Sequence, residues 1–252
     1  MKKAILHIPH SSTAIPTKKG YLSSTTELKT EIIKLTDWYT ADLYQHNEAV
    51  QIIAPFSRLF CDVERFPEDR DEAMAKFGMG MVYTTFDNGK ILRKIDKNLK
   101  DKIFKQYYQK HHDKFLQKVE KMLKNNGQCL IIDCHSFSNI PFERDLDKTL
   151  PRPNIDIGID SFHTPKKLLA VANEYFKNNG FSCKTNSPYA GAIVPLKYYK
   201  KDKRIQSIMI EVNRDLYLET NTNIKNKNYK KIKKILNGFI EEMISATANE
   251  KK

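Results

Sequence analysis

The chain has 252 residues, 40% of them hydrophobic and 29% charged, enough apolar material for a single α/β domain over residues 1–252 with a full core. No run of about 18 apolar residues occurs, and Met1-Lys2-Lys3 leads into a short segment interrupted by His7 and His10, so neither a transmembrane helix nor a signal peptide is expected and a cytoplasmic location follows. The net charge of +13 raises a nucleic-acid partner, but the excess is mostly lysine on helical stretches and around Lys225–Lys231, with no nucleic-acid motif, so none is expected.

Ala4 to Ile8 is short and apolar and stops at Pro9, as a buried strand does. Pro16 and Gly20 punctuate the loop before a helix predicted from about Thr26 to Gln45. Gln51 to Ala54 and Leu59 to Val63 read as short strands, and Glu68 to Met81 as an exposed loop with a turn at Gly78-Met79-Gly80. From about Lys90 to Lys124, apolar residues recur at three- and four-residue steps, the pattern of one long amphipathic helix or two in succession, stopped at Asn126-Gly127. Cys129 to Cys134 is the most apolar strand pattern. A polar segment with Pro141, Pro151 and Pro153 follows, a length of loop that usually serves function or is disordered.

Ile155 to Ile159 is another strand candidate. Thr164-Pro165 predicts a helix start with Thr as cap, and Asn179-Gly180 its end. Ser182 to Thr185 reads as an edge strand, Gln206 to Val212 as a core strand, and Tyr229 to Ala246 as a final amphipathic helix. Strands alternating with helices give a mixed or mainly parallel sheet covered on both sides. Cys61, Cys129, Cys134 and Cys183 form no CxxC pair, so they read as small buried thiols rather than a disulfide or thiolate-metal framework.

Three apolar runs end in unusual polar sets: Ile8-Pro9-His10-Ser11-Ser12, Asp133-Cys134-His135-Ser136-Phe137 and Ile210-Glu211-Val212-Asn213-Arg214. If the runs are neighbouring strands, two imidazoles and a carboxylate meet at the sheet's carboxyl edge, where open α/β sheets place ligands. That constellation reads as a metal-dependent hydrolase. Singly, His10 reads as a loop histidine bonded to backbone; with His135 repeating the arrangement, the pair points to a metal.

A hydrolytic zinc takes three protein ligands and keeps a position open for water. Asp37, beside Trp38, is the first candidate for the third, with Asp62 and Glu64 as rivals. Glu211 stands inside an apolar run, where an unpartnered carboxylate costs several kcal/mol or takes up a proton; it is a candidate general base, or else the ion-pair partner of Arg214 or Lys203. Arg58, Arg65 and Arg214 gather near the same motifs and suit a carboxylate or an oxyanion. Ser136 and Asn213 adjoin these residues, and Tyr189, in the turn-rich Asn186 to Ala192 stretch, can offer its hydroxyl; all three are substrate-binding candidates. His7, His46, His111 and His112 read as core or surface residues, and His163 as a loop ligand at most.

Taken in order, Pro9-His10-Ser11, Thr36-Asp37-Trp38, Ser57-Arg58 with Asp62 and Arg65, Asp133 to Phe137, Asp156-Ile157-Gly158, Asn186 with Pro188-Tyr189 and Gly191, and Ile210 to Arg214 resemble the N-formylglutamate amidohydrolase family over about residues 4–217. The resemblance implies a phosphorylase/hydrolase-like three-layer α/β/α fold with a central mixed sheet, related to zinc carboxypeptidases. It also implies Zn²⁺ and hydrolysis of the amide of a small N-formyl or N-acyl acidic amino acid. On it, His10 and His135 look like the zinc histidines and Glu211 like the catalytic glutamate; the reading of the residues adds Asp37 as the third metal ligand, an arginine (Arg58 or Arg65) at the oxyanion, and the remaining arginines on the substrate carboxylates. The chain has Thr13 where the carboxypeptidases carry a ligand glutamate, Glu64 where the family often has Asn, and Ala192 where it often has a second Gly. The competing expectations are a carboxypeptidase-like or other N-acyl-amino-acid hydrolase of different substrate range, and a basic nucleic-acid-binding protein that has kept the fold without catalysis.

Overall fold

A computed structural model of the chain describes residues 2–248. Six strands form one sheet: β1 Ala4–Ile8, β2 Ala49–Ile53, β3 Cys129–Phe137, β4 Ile155–Gly158, β5 Cys183–Thr185 and β6 Ile205–Asn213, in the order β2-β1-β3-β6-β4-β5. All neighbours pair in parallel except β4 and β6, which run antiparallel, so the sheet is mixed as expected. Around it lie α1 Thr25–Leu35, α2 Thr40–Leu43, α3 Lys97–Ile103, α4 Gln109–Asn126, α5 Lys166–Asn178 and α6 Tyr229–Ala248. Among the described residues no helix is long and apolar enough to cross a membrane.

Successive side chains of a strand point to opposite faces, and this alternation builds the three layers. Leu6 and Ile8 of β1, Leu130, Ile132 and Cys134 of β3, and Ile208, Ile210 and Val212 of β6 pack against α2, α5 and α6. The intervening residues Ile5, Cys129, Ile131 and Ile205 pack against Phe115, Val119 and Met122 of α4. Phe176 of α5 stacks on Phe239 of α6 at 4.8 Å, both fully buried, and truncating either to Ala removes packing worth about 3–5 kcal/mol. On the α4 face, the same alternation continues past the apolar layer into polar residues. His7, Asp133, His135 and Glu211 occupy it at the carboxyl end of the sheet, with His7 paired to Asp133 and His135 to Glu211 in register.

The helix predicted over Thr26 to Gln45 is two helices. Ser24 and Glu27 form a reciprocal capping box that starts α1, and Thr36 turns extended to end it. Tyr39, at φ 64°, opens α2, and between them the Asp37 N–H donates to the His10 carbonyl at 3.0 Å. Leu59 to Val63 is a buried turn rather than a strand: the N–H groups of Phe60 and Cys61 bond Ser57 and that of Asp62 bonds Met81. Helix formation begins at Lys97 rather than Lys90, because Asp96 caps it and Leu92 and Arg93 are engaged with Thr84. From there α3 runs through one π turn, Phe104–Tyr108, into α4, which Gly127 closes at φ 74°.

The stretch from Glu68 to Met81 carries two short 3₁₀ turns and buries Met74, Met79 and Met81. Thr164 does not cap α5; its hydroxyl donates to the Ser207 carbonyl and accepts from the Asp160 N–H. Cys61, Cys129 and Cys134 are buried free thiols and Cys183 is half-buried. The polar stretch between β3 and β4 is irregular and pinned. Buried Arg152 donates to Ser138, Asp145 and Asp147, and Asp87 accepts from the N–H groups of Glu143 and Arg144.

Candidate active site

A cavity of about 720 Å³ opens over the carboxyl edge of the sheet on its α4 side. His10, Asp37, Arg58, Glu64, Arg65, His135, Ser136, Tyr189, Glu211 and Arg214 all line it, so the residues expected to share a cleft do share one. Asn213 is absent from the lining. Its buried amide donates to Asn139 and Pro153 and accepts from the Asp215 N–H, which makes it a brace for the loop entering β4 rather than a contact for a ligand.

His10, Asp37 and His135 present ligand atoms that all lie within 4.8 Å of one another, and all three residues are buried. His135 Nδ1 is 3.1 Å and His10 Nδ1 3.7 Å from the same oxygen, Asp37 Oδ2. The far nitrogens are held by other carboxylates: His10 Nε2 lies 2.8 Å from Asp62 Oδ1, and His135 Nε2 lies 3.2 Å from both Glu64 Oε1 and Asp133 Oδ1. Asp37 is itself fixed by Arg214, whose Nη2 donates to Oδ1 at 2.9 Å while its other donors hold Ser136 and the Lys34 carbonyl. Two imidazoles with their far sides anchored by carboxylates and their near sides turned to a third ligand match how proteins orient histidines on a metal.

His10 Nδ1 tests the fit. It is buried and has no hydrogen-bond partner, a state that costs about 1–3 kcal/mol for a polar atom unless something occupies the space before it. Two imidazole nitrogens and one carboxylate oxygen are the donor set zinc takes in hydrolytic sites, so the residues fit the metal. The electrostatics agree. Burial lowers the proton affinity of His7 and His135, yet Glu64 and Asp133 raise His135 well above the usual histidine value, and Asp133 and Glu64 raise His7 to about 9. Burial pushes the Asp37 carboxyl up, but His10, His135 and Arg214 hold it well below the ordinary value. Carboxylates that hold imidazoles protonated mark a pocket of surplus negative charge, which a divalent cation neutralises as it displaces the protons.

Glu211 stands beside His135 at the cavity wall. Its Oε2 is buried without a hydrogen-bond partner, and among the described residues it makes no ion pair, so the alternative pairing with Arg214 or Lys203 is not formed. Burial raises its pKa well above the carboxylate range; His135 and Arg214 pull it down, and Asp37 and Asp156 push it further up. A buried carboxyl with raised proton affinity on a cavity wall is suited to accepting and returning a proton.

Arg58 donates to Asp62 at 3.0 and 3.2 Å and to the Tyr83 hydroxyl. Arg65 is less engaged. It approaches Asp62 and Glu72 only at 3.7 Å, and its buried Nε has no hydrogen-bond partner. Tyr189 donates its hydroxyl to Asp145 at 3.1 Å, and its loop hangs on Asp156, which accepts the N–H groups of Ser187 and Tyr189 at 3.0 and 2.8 Å. Gly158 is needed beneath that loop, since a Cβ there would collide with the Gly191 carbonyl and Met209.

His7, read from sequence as core, is buried behind the site. It bonds Asp133 at 2.9 Å and faces His111 Nε2 at 3.0 Å. Its signal was a polar residue on the face of β1 that carries Ile5. His112 lines the cavity with Nε2 2.8 Å from the Val63 carbonyl, and burial lowers it to about 4, which keeps it neutral. His163 is buried between the Ile205 carbonyl and the Lys200 N–H, away from the cavity.

A three-layer α/β scaffold with this cluster at the carboxyl edge of its sheet defines a hydrolase-type site. The family model of N-formylglutamate amidohydrolase matches residues 2–218, and the chain belongs to that family of hydrolases. Among solved structures, it is similar to N-formylglutamate amidohydrolase from Ralstonia eutropha JMP134, with a TM-score of 0.86 at 18% identity over 99% of this chain and 95% of that one. It is also similar to the gene product Atu2144 from Agrobacterium tumefaciens, with a TM-score of 0.67 at 19% identity over 100% of this chain and 92% of that one. At these identities the likeness is one of fold. No curated protein matches the chain.

Proposed function

We propose that this amidohydrolase cleaves the amide of an N-formyl or N-acyl acidic amino acid, N-formylglutamate-like, with Zn²⁺ held by His10, Asp37 and His135. The observation that carries the reading is that ligand atoms of His10, Asp37 and His135 lie within 4.8 Å of one another in the cavity that Glu211 also lines. When bound by these residues, zinc would supply Lewis acidity toward the amide carbonyl and would lower the pKa of the attacking water toward about 7. Glu211 takes the proton of the attacking water and returns it to the leaving nitrogen, a role its raised proton affinity supports. Arg58 faces the carbonyl oxygen as negative charge develops, and Arg65, with donors to spare, receives the carboxylate of the amino acid. Tyr189 lines the cavity with its hydroxyl already donated to Asp145, so it shapes the wall rather than binding the substrate through that group. Arg214, itself steadied by Ser136, holds Asp37 in place.

Glutamate and formate release from N-formylglutamate by zinc-supplemented protein, compared with N-formyl amino acids of neutral side chain, tests the reading. Turnover with preference for the acidic substrate is expected; failure to hydrolyse any N-acyl amino acid would refute it.

A further inference from the structure

We propose that the cavity carries an apolar subsite for the acyl group of the substrate, so that the preferred substrates are N-acyl acidic amino acids with an alkyl acyl chain longer than formyl. The inference rests on the hydrolase reading above and goes beyond it by naming what the acyl position accepts.

The size of the cavity is the first ground. At about 720 Å³ it lies among pockets that enclose drug-sized ligands, whereas a formyl group has no carbon beyond its carbonyl. The second ground is what its outer walls offer. Leu146, Leu196 and Phe66 line the cavity and stand 73%, 54% and 45% exposed, large apolar side chains open to water at its mouth. Phe142, Met74 and Met79 also line the cavity, the two methionines buried.

The third ground is that the polar groups on those walls are engaged with one another. Asp87 takes Lys34 and the main chain of Glu143 and Arg144; Asp145 takes Arg152 and Tyr189; Asp147 takes the Ser187 hydroxyl. What these walls leave without a partner inside the protein is largely hydrocarbon. The guanidinium groups of Arg58 and Arg65 lie by Asp62, and Arg65 takes the carboxylate end, which leaves the acyl end to the apolar walls.

An N-acylglutamate series from formyl through acetyl and butyryl to hexanoyl tests this with the zinc-supplemented protein, by turnover and by direct calorimetric binding. Each methylene that leaves water for the apolar wall is worth about fourfold, so kcat/KM and affinity should rise by at least about tenfold from formyl to hexanoyl. Leu146→Ser with Leu196→Ser, both at exposed positions, should lower kcat/KM for the hexanoyl substrate about tenfold more than for the formyl one. Tighter binding of hexanoylglutamate with no turnover of any member would sink the hydrolase reading and leave the subsite standing. A preference for formyl in both binding and turnover would overturn the subsite.

Discussion

His135 of β3 and Glu211 of β6 are paired in register on adjacent parallel strands, on the sheet face that α4 covers lower down. The pairing brings an imidazole anchored on Asp133 and Glu64 next to a carboxyl with one buried oxygen that has no hydrogen-bond partner. Replacing Glu211 by Gln keeps the shape of that wall and removes the proton acceptor. Glu211→Gln should lower kcat by about 10²–10⁴-fold while leaving the metal content of the purified protein unchanged. Near-normal turnover in this variant would exclude Glu211 as the base.

In the proposed zinc site Asp62 would act on the metal through His10, whose Nε2 it holds at 2.8 Å. Removing that charge leaves the ligand nitrogen in place but frees the ring. Asp62→Asn is expected to weaken zinc binding about 10–100-fold in a chelator competition, whereas His10→Ala abolishes stoichiometric binding. Equal zinc affinity in wild type and Asp62→Asn would remove Asp62 from the site's support.

Among the described residues the Arg65 guanidinium makes no close hydrogen bond, in contrast to that of Arg58, whose donors already reach Asp62 and Tyr83. A charge-assisted bond to a substrate carboxylate is worth about 1.5–3 kcal/mol. Arg65→Ala should therefore raise KM for an N-acyl acidic amino acid about 10–150-fold with kcat changed little. A loss confined to kcat would reassign Arg65 to the reacting carbonyl.

Asp156 pairs across from Glu211 and suspends the Ser187 to Tyr189 loop from its two oxygens. Burial raises its pKa from 3.8 to about 6, against the pull of the Tyr189 and Ser187 N–H groups. The folded state thus binds this proton more tightly than the unfolded chain, so the contribution to stability is fully present below about pH 4 and is lost as pH rises through about 6. Between those limits the stability of the wild type should fall relative to Asp156→Asn by on the order of 3 kcal/mol, as read by urea unfolding. Parallel curves for the two proteins would show that Asp156 does not titrate in this way.

Much of the frame was legible because strand periodicity and site chemistry share the same residues. In β3 the alternation of Leu130, Ile132 and Cys134 with Ile131, Asp133 and His135 marks one face as core and the other as core that ends in ligands. The break at Thr36 was hidden. The Thr26 to Gln45 pattern has helical periodicity throughout, and what interrupts it is a long-range bond from the Asp37 N–H to the His10 carbonyl. Leu59 to Val63 misled for a similar reason, since a buried turn can be as apolar as a strand and only its partners Ser57 and Met81 distinguish them. Asp62 and Glu64 were visible as candidates for the metal, but that each would hold the far nitrogen of a histidine depends on side-chain orientation that spacing does not encode.

The central claim is that His10, Asp37 and His135 hold a zinc ion on which hydrolysis depends, and it is tested most directly by measuring zinc content and N-formylglutamate hydrolysis on the same samples before and after dialysis against a chelator. About one zinc per chain, turnover lost in proportion to the metal removed, and recovery on adding zinc back are the predicted results. Protein stripped of metal that hydrolyses the substrate at the full rate would contradict the account.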